Sequence, residues 1–307
     1  MLSALVEDFR TAENCQVAAL RDIRLDGPML GGCDIVEVHS AADLEQTSAA
    51  MARQADFTVV IAPEFDRLLL ETTRRLRRCG PLLNADEPFI AIASDKTATS
   101  DRLAAAGVRV PPGVVLDADA ERLPSDFPYP GVLKPVDGAG SQHTLLVRDA
   151  GDQPEPYPWP RRLERFCPGR AASVAFLCGP GGVTSLPACW QRLSENGRFT
   201  YFGGSTIVEA PLARRATALA RQAIEALPPA IGFVGVDLVL GGADDGSEDY
   251  VIEVNPRCTT SYVGLRKSVK NNLAQALLHV AAGKPLEILP PRAPVELAAD
   301  GAVWQSF

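Results

Sequence analysis

The run Gly235-Val236-Asp237-Leu238-Val239-Leu240, followed after a polar stretch by Tyr250-Val251-Ile252-Glu253-Val254-Asn255-Pro256-Arg257, decides how this chain is read. The two apolar segments flank Gly241-Gly242-Ala243-Asp244-Asp245-Gly246, a turn-forming composition, so the pair reads as a β-hairpin. Side chains alternate along a strand, so Glu253 and Asn255, two apart, share one face. With Asp237 on the neighbouring strand, that face gathers two carboxylates and an amide oxygen. These are hard oxygen donors of the kind Mg²⁺ takes while keeping positions for water and phosphate. Arg257 adds a fixed cation beside them. A plain hairpin with charged residues on its wet face fits the same residues. The rest of the chain decides between the two.

With 307 residues the chain can build two or three domains with a good core. A hydrophobic share of 46% and a charged share of 22% are ordinary for a soluble globular protein. The net charge of −8 argues against nucleic-acid or anionic-membrane partners, which need a basic surface. No apolar run reaches the roughly 18 residues of a membrane span. The start, Met1-Leu2-Ser3-Ala4-Leu5-Val6-Glu7-Asp8-Phe9-Arg10, lacks the basic and cleavage regions of a signal peptide. Cysteines stand at 15, 33, 79, 167, 178, 189 and 258, none in Cys-x-x-Cys, which reads as reduced thiols in a cytoplasmic protein. His39, His143 and His279 have no zinc-ligand spacing, and His279 reads as a core residue on an apolar helix face.

Residues 1–94 read as an α/β unit, with strands at Gln16–Leu20, Asp34–His39 and Phe57–Ala62 and helices at Met1–Phe9, Ala42–Ala55 and Asp66–Cys79. The alternation predicts a small parallel sheet. From 95 to 170 the chain is strand-rich: a helix capped by Asp95 runs to Ala106, strands follow at 131–136 and 144–148, and a Pro/Arg-rich loop spans 150–162. Leu163–Cys167 and Ala172–Cys178 read as strands broken by Pro168-Gly169. From 171 to 307 come further strands at Leu186–Leu193 and Thr200–Phe202, a helix at Leu212–Leu227, the hairpin, and a helix from Val263 to Ala282.

Two more clusters carry chemistry. Lys134-Pro135 ends a strand, and Gly138-Ala139-Gly140-Ser141 follows. Glycines let backbone N–H groups approach an anion, and the lysine adds charge suited to phosphate. The spacing is neither a Walker A motif nor a Gly-x-Gly-x-x-Gly dinucleotide fingerprint, and a plain turn fits Asp137-Gly138 as well. Lys96 sits in the first turn of the helix after Asp95, where the helix dipole mildly disfavours a cation.

Asp95-Lys96-Thr97, Val132-Leu133-Lys134-Pro135, Gly138-Ala139-Gly140-Ser141, Phe166-Cys167-Pro168-Gly169, Gly235-Val236-Asp237 and Glu253-x-Asn255-Pro256-Arg257 stand in an order and spacing that resemble the ATP-grasp superfamily. The resemblance covers about residues 95–285. It implies an α/β plus α+β fold of three parts: an N-terminal Rossmann-like domain (1–94), a small lobe (95–170) and a large lobe with the metal site (171–307). It implies ATP contacts from Lys96, Lys134, Gly138, Ala139, Gly140 and Ser141, with Glu164, Arg165, Phe166 and Cys167 at the adenine hinge. It assigns Mg²⁺ (or Mn²⁺) to Asp237, Glu253 and Asn255, and catalysis to Arg257 and Lys134. Many members carry a ribose-binding glutamate where this chain has Ala171.

Val59-Val60-Ile61-Ala62-Pro63-Glu64-Phe65-Asp66, Ala171-Ala172-Ser173-Val174 and the stretch from Asn255 to Arg266 narrow the likeness to one subgroup. That subgroup holds the tyramine–glutamate ligases of methanofuran biosynthesis and their bacterial one-carbon-metabolism relatives. Relative to it, the first strand and the loop after it are expected to be missing here. The resemblance implies a carboxylate–amine ligase working through an acyl-phosphate on small-molecule substrates, glutamate and an aromatic amine. Arg257, Thr259, Thr260, Ser261 and Arg266 are its expected substrate residues. Another amino-acid or dipeptide ligase, a phosphotransferase that stops at phosphoryl transfer, and a non-catalytic nucleotide binder are the competing readings.

Overall fold

The computed structural model describes residues 1–25, 31–118, 120, 122–289 and 294–305. The chain opens on α1 (Leu2–Thr11) and two parallel strands, β1 (Ala18–Asp22) and β2 (Asp34–Val38). It then runs through α2 (Ala41–Ala52), α3 (Leu68–Arg77), α4 (Glu87–Ala93) and α5 (Lys96–Ala105). β3 (Gly113–Leu116), β4 (Gly131–Pro135), β5 (Leu145–Val147) and β6 (Arg161–Arg165) form an antiparallel sheet in the order β3-β6-β4-β5. The larger sheet follows: β7 (Arg170–Gly179), β8 (Gly182–Ser185), β9 (Cys189–Leu193), β10 (Tyr201–Thr206), β11 (Gly232–Leu240), β12 (Tyr250–Asn255), β13 (Val295–Ala298) and β14 (Val303–Gln305). Its order is β12-β11-β7-β9-β10-β13-β14, with β8 paired to β7. Three helices complete the chain: α6 (Ala210–Glu225), α7 (Ser261–Ser268) and α8 (Leu273–Ala281). The fold is mixed α/β and α+β, as the sequence predicts.

The period-two pattern of β11 sorts its side chains. Val234, Val236, Leu238 and Leu240 enter the core that also holds Leu69, Phe89, Ile90 and Leu103 from α3, α4 and α5. Burying four such side chains stabilises by about 6–12 kcal/mol as an upper figure, enough to offset holding a carboxylate on the opposite face. The N-terminal helices thus share one core with the large sheet. On the sheet's other side a second core joins Leu5 of α1, Phe233, Tyr262 of α7, and Leu273 and Leu277 of α8.

The hairpin has a feature the alternation alone does not foresee. Asp237 pairs with Glu253, but Leu238 pairs with Val251, so Ile252 is an extra residue in β12. This bulge keeps Val251 and Val254 in the core although they are three apart. The break between hinge and large sheet is equally built. A Cβ at Gly169 (φ +153) would lie 2.4 Å from the Leu240 carbonyl oxygen, so a glycine is needed where the chain crosses β11.

Several expectations are corrected. Residues 57–62 form no strand: one parallel bridge joins Thr58 to Leu82, and the Asn84 side chain serves Val60 as a strand partner, accepting from its N–H at 2.7 Å and donating to its carbonyl at 2.8 Å. Asp66 and Arg67 adopt left-handed backbone, φ 53° and 58°, so α3 starts only at Leu68. The predicted helix 263–282 is two helices. Val269 is extended, and Asn272 caps α8 by accepting from Gln275 N–H. β8, β13 and β14, of four, four and three residues, are too short to stand out in the sequence, although β13 alternates buried Val295 and Leu297 with Glu296 and Ala298. His279 is half-buried rather than in the core. Among the described residues no helix is long and apolar enough to cross a membrane, and no two cysteines form a disulfide.

Candidate active site

A cavity of about 580 Å³ lies between the small sheet and the large one. α5 brings Lys96 to it. Asp95 caps that helix, accepting from Thr97 and Ala98 N–H at 2.8 and 2.9 Å, and Lys96 N–H donates to the Val136 carbonyl at 2.9 Å. That bond ties the helix start to the end of β4. Lys96 Nζ then lies 3.1 Å from the Gly138 carbonyl and 3.5 Å from Glu253 Oε2. Gly138 (φ +134), Gly140 (φ +69) and Ser141 (φ 58) give the glycine-rich loop a backbone that L-residues rarely adopt, and the loop lines the cavity.

Lys134 is buried. Its Nζ lies 2.6 Å from Glu164 Oε2 and 3.4 Å from the carbonyl of the bulge residue Ile252. Glu164 Oε1 also accepts from Arg162 Nε at 2.8 Å, and Arg162 Nη2 donates to Ser100 Oγ at 2.8 Å. Two buried cations therefore share one carboxylate, an excess of positive charge facing a cavity. The hinge residues Arg165, Phe166 and Cys167 line the same cavity, with Phe199 from the β9–β10 loop 6.4 Å from Phe166 by ring centroids.

On the floor, Asp237 accepts from Asn255 Nδ2 at 3.0 Å and from Gln191 Nε2 at 2.9 Å. Burial and the neighbouring Glu253 charge push the Asp237 carboxyl well up. Burial works against the Glu253 charge too, but the Lys96 and Lys134 ammoniums hold Glu253 below the usual carboxylate range. Two carboxylates in register, one of them driven towards its protonated form, have a charge repulsion that a divalent cation relieves. Asn255 turns its nitrogen to Asp237, leaving its oxygen as a third donor. The set fits Mg²⁺ or Mn²⁺ in donor chemistry.

Beyond Asp237, Glu253 and Asn255, the residues Arg257, Thr259, Thr260 and Ser261 continue the wall. A Cβ at Gly235 would sit 3.0 Å from Thr259 Cγ2, so the bare backbone there lets this loop approach the sheet. Arg257 Nε lies 2.9 Å from Glu64 Oε1 of the N-terminal elements.

The structure brings every expected site residue to this cavity except one. Arg266 does not line it. The Arg266 guanidinium Nε donates to Asp8 Oδ1 at 2.8 Å, and the Tyr262 hydroxyl donates to Asp8 Oδ2 at 2.7 Å. On α7 the side chain at 266 falls on the face towards α1, so it docks helices. We expect Arg266→Ala to cost about 1.5–3 kcal/mol in chemical denaturation, the worth of hydrogen bonds to a charged group, while the KM for the carboxylate stays near normal. A raised carboxylate KM at unchanged stability contradicts this placement. Residues not singled out from sequence include Gln191, Phe199 and Tyr201. Pairing of Ala172 with Trp190 puts Gln191 across from Ala171, a neighbourhood no local motif announces.

The ATP-grasp domain family matches residues 93–261, more than half of the chain, and the pre ATP-grasp 3 domain family matches residues 15–86. The chain belongs to the ATP-grasp domain family. It is 24% identical over 291 residues to a tyramine–L-glutamate ligase of Methanocaldococcus fervens, covering 93% of this chain and 87% of that one. It is 29% identical over 153 residues to a D-alanine–D-alanine ligase of Paramagnetospirillum magneticum, 48% of this chain and 50% of the relative. Its fold matches a biotin carboxylase–β,γ-ATP complex from Campylobacter jejuni with a TM-score of 0.78, at 17% identity, over 97% of this chain and 72% of the other. Within its family the chain is an ATP-dependent ligase that forms carbon–nitrogen bonds.

Proposed function

We propose that this ligase joins glutamate to an aromatic amine such as tyramine through a glutamyl-phosphate. One observation carries the reading: a single cavity holds Lys96, Lys134 and the 138–141 loop at one end, with Asp237, Glu253, Asn255, Arg257 and the hydroxyls of 259–261 continuous with them. The family model over 93–261 and the ligase relative over 93% of the chain support it. In this reading 1–94, 95–170 and 171–307 act as N-terminal domain, small lobe and large lobe, and cysteines not joined in disulfides suit a cytoplasmic setting.

A carboxylate oxygen attacks the γ-phosphorus in line, and ADP leaves. The amine then attacks the acyl carbon, loses a proton, and phosphate departs. Lys96, Lys134 and the loop N–H groups bind the phosphates and stabilise charge that grows on them. Asp237, Glu253 and Asn255 would hold Mg²⁺ or Mn²⁺, which supplies charge neutralisation at the phosphates. The Arg257 guanidinium can grip a phosphoryl or carboxylate oxygen pair. The hydroxyls of Thr259, Thr260 and Ser261 suit the polar end of an amino acid better than an apolar acid. Closure of the 138–141 loop over the nucleotide would keep water from the acyl-phosphate.

The test is ADP release over a panel of carboxylates and amines, with mass detection of the product. Glutamyl-tyramine in the presence of both substrates supports the pairing, and an amide from a different pair replaces it. Release of ADP that ignores the amine indicates a phosphotransferase. The 137–142 backbone should also slow its hydrogen exchange on adding Mg²⁺ and a non-hydrolysable ATP analogue, because the loop has little else to pack against. Equal exchange with and without nucleotide rules out closure of this loop.

A further inference from the structure

Glu64 lies outside the cavity, in the Pro63-Glu64-Phe65-Asp66-Arg67 segment that leads into α3. It is only 4% exposed, and both carboxylate oxygens are buried without a hydrogen bond. Burying a carboxylate in this way is costly, and an apolar side chain of similar volume would serve packing better. The compensating charge is Arg257, whose Nε lies 2.9 Å from Glu64 Oε1. Burial raises the Glu64 pKa, Arg257 opposes that, and the Glu253 charge adds a smaller contribution to the rise.

The backbone around it is held at a cost as well. Asp66 and Arg67 are both left-handed, a conformation that persists only where the surroundings over-determine it. The Asp66 N–H donates to Asp137 Oδ2 at 3.1 Å, and Asp137 opens the glycine-rich loop. One short segment therefore touches the phosphate end of the cavity through Asp137 and the reacting end through Arg257.

We propose that Glu64 is a positioning residue: it fixes the Arg257 guanidinium from the N-terminal elements, which thereby complete the substrate half of the site. Arg257 Nε lies 2.9 Å from Glu64 Oε1 as an ion pair rather than an aligned hydrogen bond, and Nη1 donates to the Cys258 carbonyl at 3.3 Å. The Nη2 group is then left for an anionic oxygen of the substrate or of the transferred phosphoryl. Without Glu64 the guanidinium can turn about its long stem, and the fork is no longer presented. This inference rests on the role given to Arg257 above.

The test compares Glu64→Met, Glu64→Gln, Arg257→Ala and the Glu64→Met/Arg257→Ala double variant. Glu64→Met removes the buried charge at similar volume, and Arg257, which borders the cavity, can be hydrated. The variant removes one partner of a buried ion pair, so it should melt below the wild type, but the folded protein should keep its affinity for Mg²⁺ and a non-hydrolysable ATP analogue within about twofold, while kcat/KM for the carboxylate falls at least about tenfold. On the Arg257→Ala background, Glu64→Met should cost no more than about twofold further, because Glu64 acts through Arg257. Glu64→Gln, which keeps the shape but not the charge, should behave like Glu64→Met. Multiplying losses in the double variant, or a nucleotide affinity that falls in step with kcat/KM, overturns the proposal. A crystal structure of Glu64→Met is independent of turnover: Arg257 must leave its present rotamer, and an unchanged guanidinium refutes the role of Glu64 even if the wild type makes a different product. If the rotamer changes but the wild type forms no amide, the positioning stands and the assigned reaction fails.

Discussion

Glu253→Gln leaves a folded protein whose turnover, at saturating Mg²⁺, is lower by about a hundred- to a thousandfold, the cost of removing one group that stabilises charge in the reacting complex. The argument is electrostatic. Glu253 faces Lys96 Nζ at 3.5 Å and stands in register with Asp237. The amide keeps the shape and an oxygen but removes one of two negative charges from the metal face. Loss of that charge takes a partner from Lys96 but relieves the repulsion that drives Asp237 towards its protonated form, so the two effects offset and the fold should survive. Circular dichroism and melting check the fold, and initial rates across a Mg²⁺ series check the site. Near-normal turnover with saturating metal removes this hairpin from the metal assignment.

Lys134→Ala separates binding from stability in the same way. Lys134 and Arg162 both face Glu164, at 2.6 and 2.8 Å. The triad by itself holds one positive charge more than it neutralises; Lys134 also steadies the Glu253 charge, which keeps Lys96 as a partner when Lys134 is removed. Removing the lysine leaves a balanced Arg162–Glu164 pair, so the nucleotide-free protein should lose at most about 1 kcal/mol, a melting shift of about 2–4 °C. The nucleotide loses a charged donor worth about 1.5–3 kcal/mol, so the Kd for ATP should rise about 10- to 150-fold. Glu164→Gln should do the reverse to the fold: two buried cations are then left facing each other, and the free protein destabilises. Should Lys134→Ala unfold easily while its remaining folded fraction binds ATP normally, the lysine is structural.

The parts of the site that are legible in the sequence are those whose chemistry sits in short runs. Asp237, Glu253 and Asn255 can be placed on one face because strand alternation fixes it, and Lys134 with its glycine-rich loop can be seen because four consecutive residues carry it. The bulge at Ile252 is not legible. It is set by the pairing partner, and nothing in the Val251-Ile252-Glu253 string distinguishes a bulged strand from a regular one. Gln191 and Glu64 are hidden for a related reason: each acts on a residue far along the chain, Asp237 and Arg257, and no local pattern encodes that meeting. Arg266 misleads because it lies one helical stretch beyond residues that line the cavity, where a turn of α7 carries it away from the cavity and onto Asp8. In the fold, the stretch 57–62 has the composition of a strand, but its partner is an asparagine side chain rather than a second strand.

In the proposed reaction ATP activates a carboxylate by phosphorylating it. The most direct measurement follows an isotopically labelled carboxylate oxygen through one turnover with an amine present. Attack of that oxygen on the γ-phosphorus, followed by expulsion of phosphate by the amine, transfers one labelled oxygen per amide into inorganic phosphate, with ADP as the nucleotide product. Mass analysis of the phosphate should find it. Label appearing in AMP, or ADP and unlabelled phosphate formed alongside the amide, contradicts the account.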